Sequence, residues 1–346
     1  MTKKVAVALS GGVDSAVAAL LLKNSGYEVV GITGKMVCDS NADEVVKNAA
    51  EVANKLNIEH FVIDASEAFK KSIIDYFENS YKTGKTPNPC IMCNKFIKWG
   101  VLFDYAINVL NCDFVATGHY ANIKKNDEYY KLYPASDEHK DQLYFLFTLS
   151  QEHLSKTLFP LSKLKKEQVR ELAIQNNLPP KSSKESQDIC FIKPPNTTKK
   201  YLNDIFKPQE GCFVEQTTGK VLGKHSGFWQ FTIGQRKGIG IAAPQPLYVV
   251  NIDADSNTVF VGNQSELYSS ELLLNDFNWA YSVKTSEFDA LVKIRYNMPH
   301  AKAKINIEKD VVKIMFETPV SGITPGQACV VYDAEDGHLL GGSFIN

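Results

Sequence analysis

No stretch of the sequence is apolar for long enough to span a bilayer, and no export signal opens it. Met1-Thr2-Lys3-Lys4 runs straight into Val5-Ala6-Val7-Ala8-Leu9, a short apolar run that ends at glycines. The expectation is a cytoplasmic chain with no membrane partner. An even cysteine framework is also missing. Seven cysteines without an export signal are expected to be reduced thiols, so any with a function should be nucleophiles or metal ligands. The Asn-x-Thr/Ser matches at Asn196 and Asn263 then carry no secretory meaning. An excess of charge of one sign is absent as well: 38 Lys and Arg against 39 Asp and Glu leave −1. A nucleic-acid partner would have to be held by a local basic face. No internal repeat or low-complexity tract is present.

What is there is enough for a core of ordinary size. Hydrophobic residues make up 44% of 346, which suits two or three domains. The first part alternates strand and helix. Val5–Leu9, Tyr27–Thr33, Ile58–Asp64 and Asp113–Thr117 read as strands. Helical spacing follows Val13, and helices are expected over Ala42–Leu56, Glu67–Tyr81 and Phe96–Leu110. This rhythm implies a parallel sheet covered on both faces, with ligands bound beyond the carboxyl ends of its strands. A hairpin is expected at Tyr120–Lys124 and Tyr129–Tyr133, then helices at Glu152–Leu158 and Lys165–Asn176. Residues 178–200, rich in Pro, Ser and Lys, read as a mobile loop and linker. Beyond about 205, short β-forming runs alternate with Gly and Asn turns. The expected fold class is α/β: a parallel-sheet domain over 1–204, a small β-rich domain over 205–266 and a β-barrel over 267–346.

Ser10-Gly11-Gly12-Val13-Asp14-Ser15 joins the first strand to the first helix. Two glycines permit positive φ and close backbone approach, so N–H groups and the helix N-terminus can face phosphate. Ser10 and Ser15 add hydroxyls, and Asp14 can hold Mg²⁺. Two competing signals fail. Gly84-Lys85-Thr86 lacks the earlier glycine of a P-loop, and Gly238-Ile239-Gly240 is followed by Pro244 and Pro246 where a helix should run. The Ser10–Ser15 loop resembles that of the PP-loop ATP pyrophosphatases. The resemblance implies ATP cleavage between the α and β phosphates, adenylation of an oxygen, and an adenine nucleotide alpha-hydrolase-like sheet.

Cys90 and Cys93 form a single CxxC within Thr86-Pro87-Asn88-Pro89-Cys90-Ile91-Met92-Cys93-Asn94-Lys95, and Cys190 lies in Ser186-Gln187-Asp188-Ile189-Cys190-Phe191-Ile192. Two thiols meeting at one site can carry sulfur as a persulfide and release it by thiol exchange. Cys93 is placed at or just before a helix N-terminus, where a thiolate is favoured. A second CxxC is absent, which counts against structural zinc. Cys38, Cys112, Cys212 and Cys329 lie in contexts that suit small buried hydrophobes.

Together with Thr117-Gly118-His119-Tyr120-Ala121, Lys140-Asp141-Gln142, Gly234-Gln235-Arg236-Lys237-Gly238 and Thr324-Pro325-Gly326-Gln327, these motifs resemble the tRNA-specific 2-thiouridylase family over nearly the whole chain. The resemblance implies an ATP site at Ala8, Leu9, Ser10, Gly11, Gly12, Val13, Asp14, Ser15, Gly34 and Gly118. It implies that Asn88, Pro89 and Cys90 border the target base, that Cys93 is the nucleophile, and that Cys190 carries the persulfide. It implies tRNA contacts at His119, Lys140, Asp141, Gln142, Arg295, Tyr296 and Gln327. ATP and Mg²⁺ are the implied cofactors. The implied partners are wobble-uridine tRNAs for Lys, Glu and Gln, and a sulfur donor such as a cysteine desulfurase or relay protein. The sequence departs from the family at Cys90, where the usual residue is Asp. Three cysteines open a second route, in which Cys90, Cys93 and Cys190 ligate a [4Fe–4S] cluster. Lys163, Lys165, Lys166 and Arg170 on one helix, with Lys193, Lys199, Lys200, Arg236 and Lys237, are the expected basic face. Rival readings are another PP-loop ligase acting on a small molecule and a tRNA-binding module without catalysis.

Overall fold

The computed structural model describes residues 2–37, 40–126, 128–179, 189–192 and 195–346. Strands β1 (Lys4–Ala8), β2 (Glu28–Lys35), β3 (Glu59–Asp64) and β4 (Phe114–Ala116) are parallel, in the order β3-β2-β1-β4, with Thr157–Leu158 as a short fifth strand beside β4. Val5, Ala6 and Val7 are fully buried, as expected of a strand covered on both faces. Helix α1 (Val13–Asn24) buries its Ala16–Leu20 run, and α2 (Ser40–Leu56) packs beside it. The chain leaves β1 toward β2 on one side, while β4 lies on the other. The loops after β1 and β4 therefore open a crevice at the switch in strand order, where such sheets bind ligands.

Two readings need correction. The helix expected to begin near Phe96 begins at Pro89, with Asn88 as its cap, and continues through Asn94–Leu102 with the wider π spacing. Proline is well suited to the first helical position, because it has no N–H to leave unpaired there. The helix expected over Glu152–Leu158 stops at Ser155. Thr157 and Leu158 pair with Val115 and Ala116 instead.

The chain from Gly211 to Gly262 forms a four-stranded sheet, and that from Tyr268 to Phe344 a seven-stranded antiparallel one. The strand Ala328–Asp333 has both faces covered. Ala328, Val330 and Tyr332 join the core that holds Phe69, Ile97 and Trp99, while Cys329 and Val331 join the core of the seven-stranded sheet. Period-two alternation thus sends one strand's side chains into two cores. Of the expected linker 178–200, residues 180–188, 193 and 194 lie outside the described residues, as does Cys38. No described helix is long and apolar enough to cross a membrane.

Candidate functional site

Ala8 ends β1, Leu9 is buried, and the chain turns at Gly11 with φ +71°. A Cβ on Gly11 would meet Asn48 Cβ at 2.5 Å, so glycine is required twice over, by conformation and by space. Gly12 caps α1 without any side-chain bond, leaving the helix N-terminus unmet by a side chain. The Ser15 hydroxyl, only 4% exposed as a residue, donates to Gly12 O at 3.0 Å and accepts from Ser10 N at 3.2 Å. These bonds shape the loop from within. Gly34, near the end of β2, lies against Leu102.

Asp14 points into the crevice. Lys166 Nζ lies 2.7 Å from each of its carboxylate oxygens, and the Tyr120 hydroxyl donates to Oδ1 at 3.0 Å. The side chain of Lys166 is only 7% exposed. It therefore does not belong to the basic face expected on its helix; its charge is spent inward, on Asp14.

The turn after β4 ties this loop to the cysteines. Gly118 lies so close to the start of α1 that a Cβ there would be 2.7 Å from the Asp14 carbonyl carbon and 2.8 Å from Ser15 N. His119 is 8% exposed, with Lys98 Nζ 3.3 Å from Nε2 and Thr117 Oγ1 2.7 Å from Nδ1. An ammonium only donates, so Nε2 accepts and Nδ1–H donates to Thr117. Burial first, then the Lys98 charge, hold the imidazole well below its ordinary value and therefore neutral. The site-rim position expected for His119 gives way to one behind Lys98. Because unfolded His119 takes up a proton below about pH 6.5, stability should fall on acidification by about 1.4 kcal/mol per unit through this residue, down to its folded pKa. Thermal unfolding of His119→Gln should accordingly lose less between about pH 7 and about pH 5 than the wild type does.

Pro89 and Ile91 are buried, and they fix the helix that carries Cys90 and Cys93. Cys93 sits a turn inside that helix, not at its N-terminus, and its thiol is pushed up by burial, opposed by Lys98. Cys90 reaches solvent, yet burial also raises it against the same lysine. Cys190 is held by its neighbours: Ile192 N–H donates to Ile189 O, and the Phe191 ring stacks edge-on against Phe77 at 5.3 Å and Phe69 at 6.0 Å. The Cys190 thiol is pushed up to about 12, by the surrounding protein first and then by the charges of Cys93 and Cys90. The three sulfurs are thus within electrostatic reach of one another and of one cation, Lys98. Cys112 and Cys329 are buried, as expected, while Cys212 is half-buried.

The residues expected to touch tRNA are largely engaged by the protein itself. Asp141 accepts from Ala135 N and Leu143 N, both at 3.1 Å. Gln142 Oε1 accepts from Tyr120 N at 3.0 Å, while Lys140 N–H donates to Asp137 O. Arg295 donates to Ile233 O at 2.9 Å, to Gly322 O at 2.8 Å and to Thr324 Oγ1. Tyr296 lies against Phe145, their ring centroids 4.5 Å apart. Gln327 Nε2 donates to Thr86 O at 2.8 Å, and Thr86 N–H donates to Pro325 O at 2.8 Å. The last sheet thereby grips the start of the cysteine loop. Among these residues the sequence gave no warning of Lys98; its five-residue spacing from Cys93 along one helix was the available signal.

Among the described residues, one further grouping has metal-ligand character, Asp333, Asp336 and His338. Both His338 nitrogens are already bonded, to the Tyr281 hydroxyl and to Asp336, and Asp333 accepts turn N–H groups from Glu335 and Asp336. This grouping closes a turn.

Three family models match in succession: tRNA methyl transferase HUP domain over residues 3–194, tRNA methyl transferase PRC-barrel domain over 199–263, and aminomethyltransferase beta-barrel domain over 269–345. The tRNA-specific 2-thiouridylase MnmA of Nostoc sp. is 43% identical over 352 residues, spanning 99% of this chain and 98% of that protein. The tRNA-specific 2-thiouridylase MnmA 1 of Clostridium botulinum is 42% identical over 359 residues, spanning 100% of this chain and 99% of that one. Among solved structures, the U34-tRNA thiolase NcsA from Methanococcus maripaludis with its [4Fe-4S] cluster is 23% identical, covering 54% of this chain and 60% of that chain, with a TM-score of 0.37. With a domain model matching more than half its length and relatives above 40% identity from end to end, the chain belongs to the tRNA-specific 2-thiouridylase family.

Proposed function

We propose that the chain is an ATP-dependent tRNA-uridine 2-sulfurtransferase that thiolates the wobble uridine. The observation that carries this reading is the turn Thr117–Tyr120, which touches a phosphate-type loop on one side and the cysteine group's cation on the other. Nucleotide chemistry and sulfur chemistry share one crevice. Methyl transfer from a sulfonium donor would have no use for the Ser10–Ser15 cradle, so the loop favours thiolation over the chemistry that the domain names suggest.

In the proposed sequence, uridine O2 attacks the α-phosphorus of ATP and pyrophosphate leaves. The N–H groups of 11–15 and the Ser10 and Ser15 hydroxyls bind phosphate. Mg²⁺ suits the carboxylate of Asp14 once Lys166 has withdrawn, and it would neutralise the departing pyrophosphate. The terminal sulfur of a Cys190 persulfide then bonds to C2, and AMP departs with the former O2. The Cys93 thiolate attacks Cys190 Sγ, the persulfide S–S bond breaks, and its electron pair stays on the sulfur now attached to C2. The resulting Cys93–Cys190 disulfide is reduced by an external thiol, and a sulfur donor reloads Cys190. Lys98 faces each thiolate as it forms.

A second reading rests on the gathering of Cys90 with the other two. Three thiolates suit three irons of a [4Fe–4S] cluster, with Lys98 offsetting their charge. Held there, the cluster would supply an iron site for free sulfide, and the three cysteines would act as ligands. Unmodified tRNA for Lys, Glu or Gln, incubated with ATP and sulfide or a persulfide donor, should yield 2-thiouridine by nucleoside mass analysis. AMP without thiolated nucleoside, or neither product, would sink the proposal. The tRNA affinity should fall steeply with salt, with a log–log slope of about −0.9 per phosphate contact on duplex RNA-like geometry, despite the net charge of −1. A flat response in a binding titration between low and high salt would remove the local basic face.

A further inference from the structure

The carboxylate suited to the metal is already engaged by a lysine of this chain. Both oxygens of Asp14 lie 2.7 Å from Lys166 Nζ, and Oδ1 also accepts from Tyr120. A divalent cation and an ammonium compete for the same lone pairs, and two like charges cannot share them at contact distance. Metal binding at Asp14 therefore requires Lys166 to move. The backbone of Lys166 is fixed, because its N–H donates to Asp137 Oδ2 at 2.8 Å and it begins the helix Lys166–Gln175, which packs against α1. Movement is left to the side chain. A buried ammonium drawn off its carboxylate is costly unless another anion takes it. The anion available in this crevice is the polyphosphate seated on the α1 loop.

We propose that Lys166 exchanges partners during nucleotide binding: it leaves Asp14 as the metal arrives and binds the polyphosphate of the nucleoside triphosphate. This rests on the reading of the loop as an ATP site. The exchange makes metal and nucleotide mutually dependent. Metal without polyphosphate leaves Lys166 with no anion, and polyphosphate without metal must draw Lys166 from a bidentate pair. Tyr120, which stays on Oδ1, keeps the carboxylate oriented while its other partner changes.

The test is calorimetric binding of Mg-ATP and of AMP to the full chain, in the wild type, Lys166→Met and Lys166→Arg. Loss of one charge-assisted contact should weaken Mg-ATP by roughly 10- to 100-fold in Lys166→Met. AMP, which lacks the β and γ phosphates, should change little, and Lys166→Arg should recover part of the ATP affinity. Mn²⁺ alone, followed by electron paramagnetic resonance, should bind Lys166→Met more tightly than the wild type, since Asp14 is released. The inference is overturned if Lys166→Met binds ATP as the wild type does, or loses ATP and AMP alike, or gains no Mn²⁺ affinity. A wild type that binds no ATP would overturn the ATP-site reading as well, whereas normal wild-type binding with an unaffected variant overturns the exchange alone.

Discussion

Cys190→Ser should abolish 2-thiouridine formation, by on the order of 10³-fold or more, while pyrophosphate is still released from ATP in the presence of tRNA. The separation follows from the geometry. Adenylation uses the Ser10–Ser15 loop and Asp14, whereas Cys190 stands on the other side of the Thr117–Tyr120 turn, anchored by Phe191 against Phe77 and Phe69. Cys93→Ser should be equally inactive, yet able to accept a persulfide on Cys190, because Cys93 acts only in resolving it. Cys90→Ser discriminates between the two chemistries. With persulfide transfer it retains substantial activity and the protein is colourless. With a cluster, anaerobic protein is brown, and loss of any one of the three thiols lowers iron content and activity together. Pyrophosphate release that disappears with Cys190→Ser would show that the two halves of the site are not separable and would count against the proposed order of steps.

The second large effect is at Gly118. Gly118→Ala places a methyl group 2.7 Å from the Asp14 carbonyl carbon and 2.8 Å from Ser15 N. Both are backbone atoms at the start of α1, which no side-chain rotation can relieve. Overpacking of this kind costs about 1–3 kcal/mol or more. The strain falls on the loop that binds phosphate, so ATP affinity should drop by at least about tenfold, and thermal stability should fall with it. Gly219, where a Cβ would meet nothing within 4 Å, provides the comparison. Its φ of +71° still strains an alanine, yet with no loop pushed aside ATP binding should be unchanged. Equal ATP affinity in wild type and Gly118→Ala, measured by calorimetry, would contradict the close approach.

Much of this was legible in the sequence because local signals and global fold agree. The apolar Val5–Leu9 run, the glycines after it and the helical spacing beyond Val13 specify a strand, a turn and a buried helix without help from the rest of the chain. The start of the cysteine helix was not legible in the same way. Pro89 reads as a breaker until the position it occupies is known, and at the first helical turn it is an initiator. The strand Thr157–Leu158 was hidden because two residues carry no period, and their strand character comes from β4 beside them. Lys166 was misread for a related reason. Its neighbours Lys163 and Lys165 suggest a solvated basic face, and only the tertiary fold brings Asp14, 152 positions away, against it. Arg295 likewise looked like an RNA contact, whereas its guanidinium bridges carbonyls of two separate loops. Long-range partners of single charged residues leave no trace in periodicity.

The strand Ala328–Asp333 has a consequence for how the molecule comes apart. Because Ala328, Val330 and Tyr332 complete the core around Phe69 and Trp99 while Cys329 and Val331 complete the other, neither body has a finished surface at that boundary. Removing the seven-stranded sheet would leave an apolar wound on the nucleotide domain and free Thr86 from Gln327 at the same moment. The two bodies should therefore melt as a single cooperative unit. A protease that nicks the chain between them should release no independently folded fragment, since the cut ends stay held by a strand that belongs to both.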